Sequence, residues 1–476
     1  MVTLEDVSSV LGVSVSVTRF LLCFVGSIPC SALARFMPSG RVRSVYAVAT
    51  GILLSYYSFG PEANLFFIPP IAVGYGSMLL APRHCGAITF VVAFAFLLTW
   101  AVNGGPVIPW SQHRSHYFHD LETSPPGALM VLTLKVISAS MSYQDGLVKK
   151  EDLRVSQKKN RLKELPSLVQ YLGYCLNCGT HLAGPVYEIR DYIDWTEDKG
   201  LWSRDSARPL PSPYGAALRA LFQAALCMAV YMTLLPRIPL SMFDSPEYQK
   251  WGFWHRLGYM YLSGFTARWK YYFIWSISEV AVIISGLGFS GWATPDDDKK
   301  AKPLWTRAKN VDIMKVELAK SGVELPMCWN VSVSTWLRHY VYERLVPKGG
   351  KAGFWQLLMT QVVSAVWHGL YMGYILYFVH SALMISGSRV IYKWQSALPE
   401  NAIWARRLGH LINGLFGALV NNYSCIGFLL LSYHETLQAY SSVHYVGTVV
   451  PVAIILFDLV VKPPRTGSAR KTKKVQ

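Results

Sequence analysis

The sequence predicts an all-α protein that crosses a lipid bilayer many times. Of its 476 residues, 52% are hydrophobic and only 15% are charged, a composition outside that of ordinary soluble domains. Long stretches are free or nearly free of charged residues, and the charged residues collect in the loops between them. This alternation is typical of a polytopic membrane protein.

The apolar stretches are long enough to form membrane helices, since a helix needs about 20 apolar residues to cross the hydrocarbon core. The stretch at 352–388 has room for two crossings or one kinked pair. We therefore expect roughly 10 to 12 transmembrane or re-entrant helices. The stretches lie at about 7–35, 44–60, 65–82, 86–103, 126–144, 213–236, 271–292, 352–388, 411–434 and 437–461.

No internal repeat or break in composition divides the chain, so residues 1–476 are expected to form one membrane-embedded domain. The absence of a repeat counts against the architecture common in secondary transporters. Eight cysteines lie mostly in apolar surroundings without the spacing of a disulfide framework. We expect them to be reduced and buried.

The net charge of +17 comes from basic loops beside apolar stretches, mainly 149–163 and the tail 462–476. The positive-inside rule places both in the cytosol. No basic, aromatic-rich folding module is present, so nucleic acid is not an expected partner. The end of the tail, Lys473-Lys474-Val475-Gln476, is similar to a dilysine retrieval signal, which predicts a multi-pass protein of the endoplasmic reticulum with a cytosolic C-terminus. The alternative is a basic tail attracted to anionic lipid.

The apolar stretch 352–388 contains His368 at a depth where hydrocarbon is expected. If the crossing begins near Ala352 on the cytosolic side, His368 lies about 24 Å into a roughly 30 Å core. An ionisable side chain at that depth indicates a functional site, although a histidine bonded to a neighbouring helix is the ordinary alternative. Gly369 and Gly373 allow close approach of another chain or a ligand, and Ser364 faces the same side as the imidazole.

A second polar residue, Asn330, lies in a loop before a predicted amphipathic helix over 331–345. Val333, Trp336, Leu337, Tyr340, Val341 and Leu345 follow helical spacing there. The pattern fits a helix in the cytosolic membrane interface and fits equally a helix packed on the bundle. Asn330 itself is well suited by residue type to be the N-cap of this helix.

Several blocks of the chain resemble the membrane-bound O-acyltransferases: Trp367 to Tyr374, and Cys328 to Asn330 followed by Trp336 to Leu345. Pro166 to Tyr192 and Arg268 to Phe289 resemble the lysophospholipid acyltransferase branch, and the spacing is most similar to that of the plant-type lysophosphatidylcholine acyltransferases. These motifs define a core at about 166–374. Branch members often carry proline where this chain has Met372, so the helix that contains His368 is free to continue straight.

The resemblance implies helices around an intramembrane reaction chamber. There the enzyme would esterify the free hydroxyl, mainly at sn-2, of lysophosphatidylcholine and related lysophospholipids, with acyl-CoA as cosubstrate. His368 would be the general base, and Asn330 would orient the imidazole or stabilise the oxyanion. One alternative is a family member that acylates diacylglycerol, a sterol or a protein. The other is a lipid transporter or scramblase in which Lys135, Glu279 and His368 form a charged pathway.

Other residues are candidates for substrate contact. Arg338 and Lys270 have the charge needed to bind CoA phosphates, although they also suit headgroup contacts or ion pairs, Lys270 with Glu279 for example. Ser364 is a candidate beside His368. The aromatic candidates for an acyl tunnel, which suit packing equally well, are Trp275, Trp329, Tyr342 and Trp367.

No bound cofactor or metal is expected. The run from His113 to Asp120 holds three histidines, but it lies in a polar loop with no second group of ligands nearby in the sequence. The expected partners are acyl-CoA, a lysophospholipid and the bilayer. The sequence does not indicate an oligomeric state.

Overall fold

The computed structural model describes residues 3–11, 13–103, 126–203, 208–293, 301–347, 349–350 and 353–463. The run His113 to Asp120 and the tail from residue 464 onward lie outside these ranges. Long helices dominate the described part, in agreement with the predicted all-α fold. The helices of at least 15 residues are α1 (Val15–Ala34), α2 (Arg41–Phe59), α3 (Pro61–Leu80), α4 (Cys85–Asn103), α5 (Pro126–Gly146), α6 (Tyr214–Leu234), α7 (Phe253–Ile284), α8 (Phe354–His368), α9 (Met372–Ser396), α10 (Ile403–Leu430) and α11 (Val446–Val460).

Short elements connect the long helices. A two-stranded antiparallel sheet pairs Gly291–Trp292 with Pro303–Leu304. The short α-helices are Leu4–Leu11, Val155–Asn160, Leu168–Cys175, Cys178–His181, Ile189–Thr196, Pro246–Lys250, Ile313–Glu317, Leu325–Cys328, Val331–Leu337, Glu343–Leu345 and Tyr433–Ser441. The 3₁₀-helices are Lys150–Asp152, Gly200–Trp202 and Leu240–Asp244, and Arg338–Tyr342 is a π-helix.

Three helices of the described ranges, α1, α6 and α9, are long and apolar enough to cross a membrane by themselves. The helix Tyr433–Ser441 and α11 form a fourth candidate span, bent by 75°. Other long helices carry polar residues that the bundle buries. On α5, for example, the fully buried Lys135 donates hydrogen bonds to the carbonyl oxygens of Tyr174 and Cys175, at 3.1 and 3.3 Å, and to Thr180 Oγ1 at 2.8 Å. Polar residues of this kind lower the mean hydropathy of a helix, and here they are satisfied inside the protein.

The predicted helix pair at 352–388 is present as α8 and α9, with a sharp break after His368. We predicted that the helix containing His368 continues straight because residue 372 is not a proline, and this prediction is wrong. Gly369 has a φ of 125°, which side-chain-bearing residues rarely adopt, and α9 begins only at Met372. At Gly373 a Cβ would lie 2.1 Å from the carbonyl oxygen of Gly427. Glycine therefore lets the backbones of α9 and α10 touch.

The predicted amphipathic helix over 331–345 is helical throughout, with a π-helical turn at its centre. It packs on the bundle rather than standing apart from it. Trp336 Nε1 donates to the carbonyl oxygen of Leu134 at 3.0 Å, and Tyr340 Oη donates to Glu188 Oε2 at 2.6 Å. Of the predicted apolar stripe only Leu345 is exposed.

All eight cysteines are free, as predicted, and most are buried. The hydrophobic core consists of several clusters. One joins the helices of the N-terminal half to the 331–345 helix and to α8 through Trp336, Tyr340 and Trp367. A second gathers residues of α1, α7, α9 and α10 with the segment 311–328. The cavity described below lies within this second region.

Candidate active site

A cavity of about 160 Å³ lies among α7, α8, α9, α10 and the segment 316–337. Its wall is largely aromatic and aliphatic, with a small number of polar side chains, as is usual for a site that binds an organic ligand. Both predicted catalytic residues, His368 and Asn330, belong to the wall. Of the predicted substrate contacts, Trp275, Trp329 and Ser364 belong to it as well.

His368 is the last residue of α8, and aromatic rings surround its imidazole. The ring centroids of Trp367, Phe378 and Phe428 lie 4.6, 5.2 and 5.1 Å from that of His368, and Tyr374 lies at 5.5 Å. The ring nitrogens form no hydrogen bond with any residue that the structure describes, Ser364 included. The imidazole is thus held by ring packing, and its nitrogens remain available to a ligand in the cavity.

Asn330 occupies the N-cap position of the 331–345 helix, but its side chain does not cap that helix. Its backbone is left-handed, with φ 46° and ψ 51°, whereas a capping residue usually has an extended backbone. Asn310 provides the cap instead: its Oδ1 accepts a hydrogen bond from the backbone N–H of Ser332 at 2.8 Å. The Asn330 side chain is therefore free of the helix and lies on the cavity wall.

Aromatic residues of α7 and of the loop before Asn330 form one side of the cavity. The Trp275 and Trp329 rings are 4.8 Å apart in an edge-to-face arrangement, and Tyr271 contacts both, at 5.8 and 5.7 Å. Edge-to-face contacts of this kind fix ring orientation. The wall beside Asn330 is consequently apolar, which suits an acyl chain.

Arg268 also reaches the cavity, as part of a buried network that the sequence did not indicate. Its guanidinium forms two parallel hydrogen bonds to Glu317, at 2.8 and 2.7 Å, and a third to Asn422 Oδ1 at 2.7 Å. Tyr272 Oη donates to the same carboxylate at 2.6 Å. The network fastens the segment 313–317 to α7 and α10, and the carboxylate compensates the charge of Arg268.

Two aromatic candidates lie away from the cavity wall. Trp367 is not part of the cavity wall, and its indole N–H donates to the carbonyl oxygen of Met130 on α5 at 2.9 Å. Tyr342 lies in the π-helical turn and packs against the second core cluster. Both residues make packing contacts here, and a contact with the acyl chain remains a prediction for both.

The two predicted phosphate contacts, Arg338 and Lys270, are likewise absent from the wall that the structure describes. Arg338 has a side chain that is 72% exposed and pairs with Glu343 at 3.2 Å. Lys270 lies over the ring of Tyr271 at 5.7 Å. A role in binding phosphate at the cavity entrance therefore remains a prediction for both.

The charged pathway of the transporter alternative does not follow this cavity. Lys135 is fully buried on α5, and Glu279 is buried on α7 with Lys309 and Arg219 as its electrostatic partners. Neither residue belongs to the cavity wall. His368 is thus separated from the two charged residues with which that alternative grouped it.

The sequence profile of MBOAT, the membrane-bound O-acyltransferase family, matches residues 116–430, more than half of the chain. The chain belongs to this family. Relatives that match nearly the whole chain support the same assignment. "Lysophospholipid acyltransferase 1" of Arabidopsis thaliana is 56% identical over 97% of this chain and 98% of its own length. "Lysophospholipid acyltransferase 2" of the same organism is 54% identical over 100% of this chain and 99% of its own length.

A more distant relative, "Membrane-bound glycerophospholipid O-acyltransferase 1" of Mus musculus, is 28% identical over 97% of this chain and 93% of its own length. Family membership and the apolar helices together show a multi-pass membrane protein. The resemblance that the motifs indicated is confirmed for this O-acyltransferase, including its similarity to plant lysophospholipid acyltransferases.

The cavity of this O-acyltransferase extends beyond the predicted motif core at 166–374. Asn421, Cys425 and Phe428, all on α10, also belong to the wall. Sequence reasoning missed them, together with Gln361 of α8. A local signal existed for Arg268 and Asn421, since a polar side chain within an apolar helix is expensive unless it is buried against a partner or a ligand.

Proposed function

We propose that this acyltransferase moves an acyl chain from acyl-CoA to the free hydroxyl, mainly sn-2, of a lysophospholipid, with lysophosphatidylcholine as the main acceptor. The observation that carries the proposal is the presence of His368 and Asn330 on one largely apolar cavity. The lysophospholipid acyltransferases of Arabidopsis thaliana support the acceptor class through their identity over nearly the whole chain. The basic net charge of +17 suits a cosubstrate with several phosphates.

In the proposed mechanism, His368 accepts the proton of the lysophospholipid hydroxyl as that oxygen forms a bond to the thioester carbonyl carbon. Asn330 donates a hydrogen bond from its amide to the carbonyl oxygen, which becomes an oxyanion. When the C–S bond breaks, CoA departs as the thiolate and takes the proton from the imidazolium. The aromatic rings around His368 exclude water, which would otherwise compete with the lipid hydroxyl as nucleophile.

The proposal is tested in microsomes from cells that lack competing activity, with labelled oleoyl-CoA and lysophosphatidylcholine. The His368→Ala variant is expected to lose label transfer, whereas His410→Ala, at an exposed histidine of α10, retains it. Equal transfer by wild type and His368→Ala would show that the assigned role is wrong. A panel of diacylglycerol, sterol and peptide acceptors decides the acceptor class, because a strong preference for one of them over lysophospholipid contradicts the proposal.

We further propose that residues 1–476 act as one membrane domain of the endoplasmic reticulum with a cytosolic C-terminus. The contacts of the 331–345 helix with α5 and Glu188 support a single unit, since they join the cavity wall to the N-terminal half. The basic tail with Lys473 and Lys474 supports the location. Protease treatment of sealed microsomes should remove a C-terminal epitope, and replacing both lysines with serine should redistribute the protein.

A further inference from the structure

Asn310 is fully buried, at 1% exposure, and touches the Asn330 turn in three places. Its carbonyl oxygen accepts from the backbone N–H of Val331 at 2.9 Å, and its side-chain Oδ1 accepts from the N–H of Ser332 at 2.8 Å. Its Nδ2 donates to Asn330 Oδ1 at 3.0 Å. One residue outside the cavity wall thereby holds the loop, the start of the helix and the side chain of Asn330.

The direction of each of these hydrogen bonds is fixed by chemistry. The backbone N–H of Ser332 can only donate, so the atom of Asn310 that it meets must be the oxygen. The other atom of the Asn310 amide is then the NH₂ group, which can only donate, and its partner on Asn330 must be the oxygen. The orientation of both amides therefore follows from the N-terminus of the 331–345 helix.

This chain of donors leaves Asn330 Nδ2 as the free atom of its amide, since it donates to no residue in the described ranges. Asn330 lies on the cavity wall, so its side chain offers the cavity a hydrogen-bond donor rather than an acceptor. A donor stabilises an oxyanion and an acceptor repels one. Asn330 Nδ2 can donate a hydrogen bond to a carbonyl oxygen, but it cannot accept one from an N–H group.

We propose that Asn310 is a positioning residue that sets the polarity of Asn330, so that the cavity always meets the NH₂ group of that amide. This inference rests on the proposed function, and it assigns Asn330 to the oxyanion. It also accounts for the backbone of Asn330. The segment 310–312 is fastened to 328–331 by two backbone hydrogen bonds, including Asp312 N to Cys328 O at 3.0 Å, and these hold the left-handed turn in place.

The decisive variant is Asn310→Asp. Aspartate keeps the acceptor for the Ser332 N–H and places a negative charge at a helix N-terminus, where it is favourable. Its second oxygen faces Asn330 Oδ1 and makes the Asn330 amide turn over, which presents an acceptor to the cavity. We expect kcat to fall about 100-fold while the melting temperature in detergent stays within a few degrees of the wild type.

The matched control is Asn177→Asp, the same change at another buried asparagine. Asn177 Oδ1 accepts from the N–H of Gly179 at 3.1 Å, a contact that aspartate retains, and the residue is not part of the cavity wall. This variant is expected to keep wild-type kcat. A general sensitivity of the fold to buried aspartate would reduce the activity of both variants alike.

A double-mutant comparison separates positioning from stability. Asn310→Ala and Asn310→Asp should each lower kcat in the wild type but have no further effect when Asn330 is already alanine. Wild-type kcat in folded Asn310→Asp, or an equal loss in the Asn330→Ala background, would overturn the inference and leave the proposed function standing. Full activity in Asn330→Ala would contradict the proposed role of Asn330 in the reaction, independently of Asn310. If Asn310→Asp does not fold, the effect of Asn310→Ala on kcat is compared in the wild type and in the Asn330→Ala background, and that comparison tests the inference.

Discussion

Arg268 and Glu317 form a bidentate ion pair in the protein interior, where their side chains are 8% and 14% exposed. The pair joins α7 to the short helix Ile313–Glu317, from which the chain continues to Trp329 and Asn330. Tyr272 adds a third hydrogen bond to the carboxylate. The segment that presents Asn330 is thus fastened at two points, by this pair and by Asn310.

Glu317→Gln is expected to destabilise the protein strongly. Removing the carboxylate leaves the buried guanidinium without a counter-charge, a change that typically costs about 3–5 kcal/mol. Thermal unfolding in detergent measures the effect. Asp194→Asn is the control, because its ion pair with Arg190, at 3.8 Å, lies at the surface, with side chains that are 31% and 47% exposed, and is expected to contribute less than about 1 kcal/mol. Similar melting temperatures for the two variants would contradict this account of the ion pair.

Gly369→Ala should impair both folding and activity. At a φ of 125° the added Cβ has space, with its nearest contact at 3.5 Å from Tyr371 Cδ2, but the backbone conformation is strained for alanine by about 1–3 kcal/mol. The strain acts directly beside His368, so kcat is expected to fall along with the melting temperature. Gly76→Ala, within α3 and with open space around it, should change neither. Unchanged kcat in Gly369→Ala would show that the turn tolerates a second conformation.

Trp275→Leu is expected to change acyl-chain selectivity. Trp275 is buried at 9% exposure and its ring packs on Trp329 at the cavity wall. Leucine enlarges the cavity there, so kcat/KM for a bulkier acyl-CoA should rise about 10-fold relative to that for a slimmer one. Competition assays with mixed acyl-CoAs measure this ratio. Trp254→Leu replaces a tryptophan that is 79% exposed and should leave the ratio unchanged, and a shift in both variants would argue against a wall role.

Arg338→Gln tests the predicted contact with CoA phosphates. Its exposed pair with Glu343 is expected to contribute less than about 1 kcal/mol, so the variant should fold normally. If Arg338 attracts the phosphates, the KM for acyl-CoA rises several-fold at low ionic strength, kcat is unchanged, and added salt reduces the difference. Lys250→Gln, at an exposed cation outside the basic loop 149–163, serves as control. An unchanged KM at low salt would assign Arg338 to its pair with Glu343 alone.

Local sequence patterns predicted the elements, and non-local contacts decided the details of the site. The length of the uncharged stretch 352–388 was enough to predict α8 and α9. Trp367, next to His368 in the chain, is not part of the cavity wall because consecutive residues on a helix point in different directions, and its contact with substrate stays a prediction. Asn330 was correctly placed at the start of a helix. The hydrogen bonds of its side chain were not predictable, because Asn310, 20 residues earlier in the chain, caps the helix in its place.

A polar residue within an apolar helix, such as Asn421 of α10, can be noticed in the sequence, but the residues that it approaches cannot. Nothing in the spacing around Asn421 or Phe428 relates them to His368. Contacts between distant residues bring α10 against α9, among them the backbone contact at Gly373 and the hydrogen bond from Ser388 to Asn413. The motifs that identified the family therefore described one side of the cavity. The part of the cavity that α10 forms depends on how closely α9 and α10 approach each other. That distance cannot be read from a single sequence.

The hydrogen bond from Trp336 to Leu134 has a consequence for substrate selectivity among related enzymes. Val333 and Leu337 of the same helix belong to the cavity wall, while α5, which holds that helix in place, contributes no residue to the wall that the structure describes. A change of side-chain volume on α5 would tilt the helix and alter the width of the cavity from outside it. Two homologues with identical linings can thus differ in the fatty acids they accept, and the cause is to be sought in the first third of the chain.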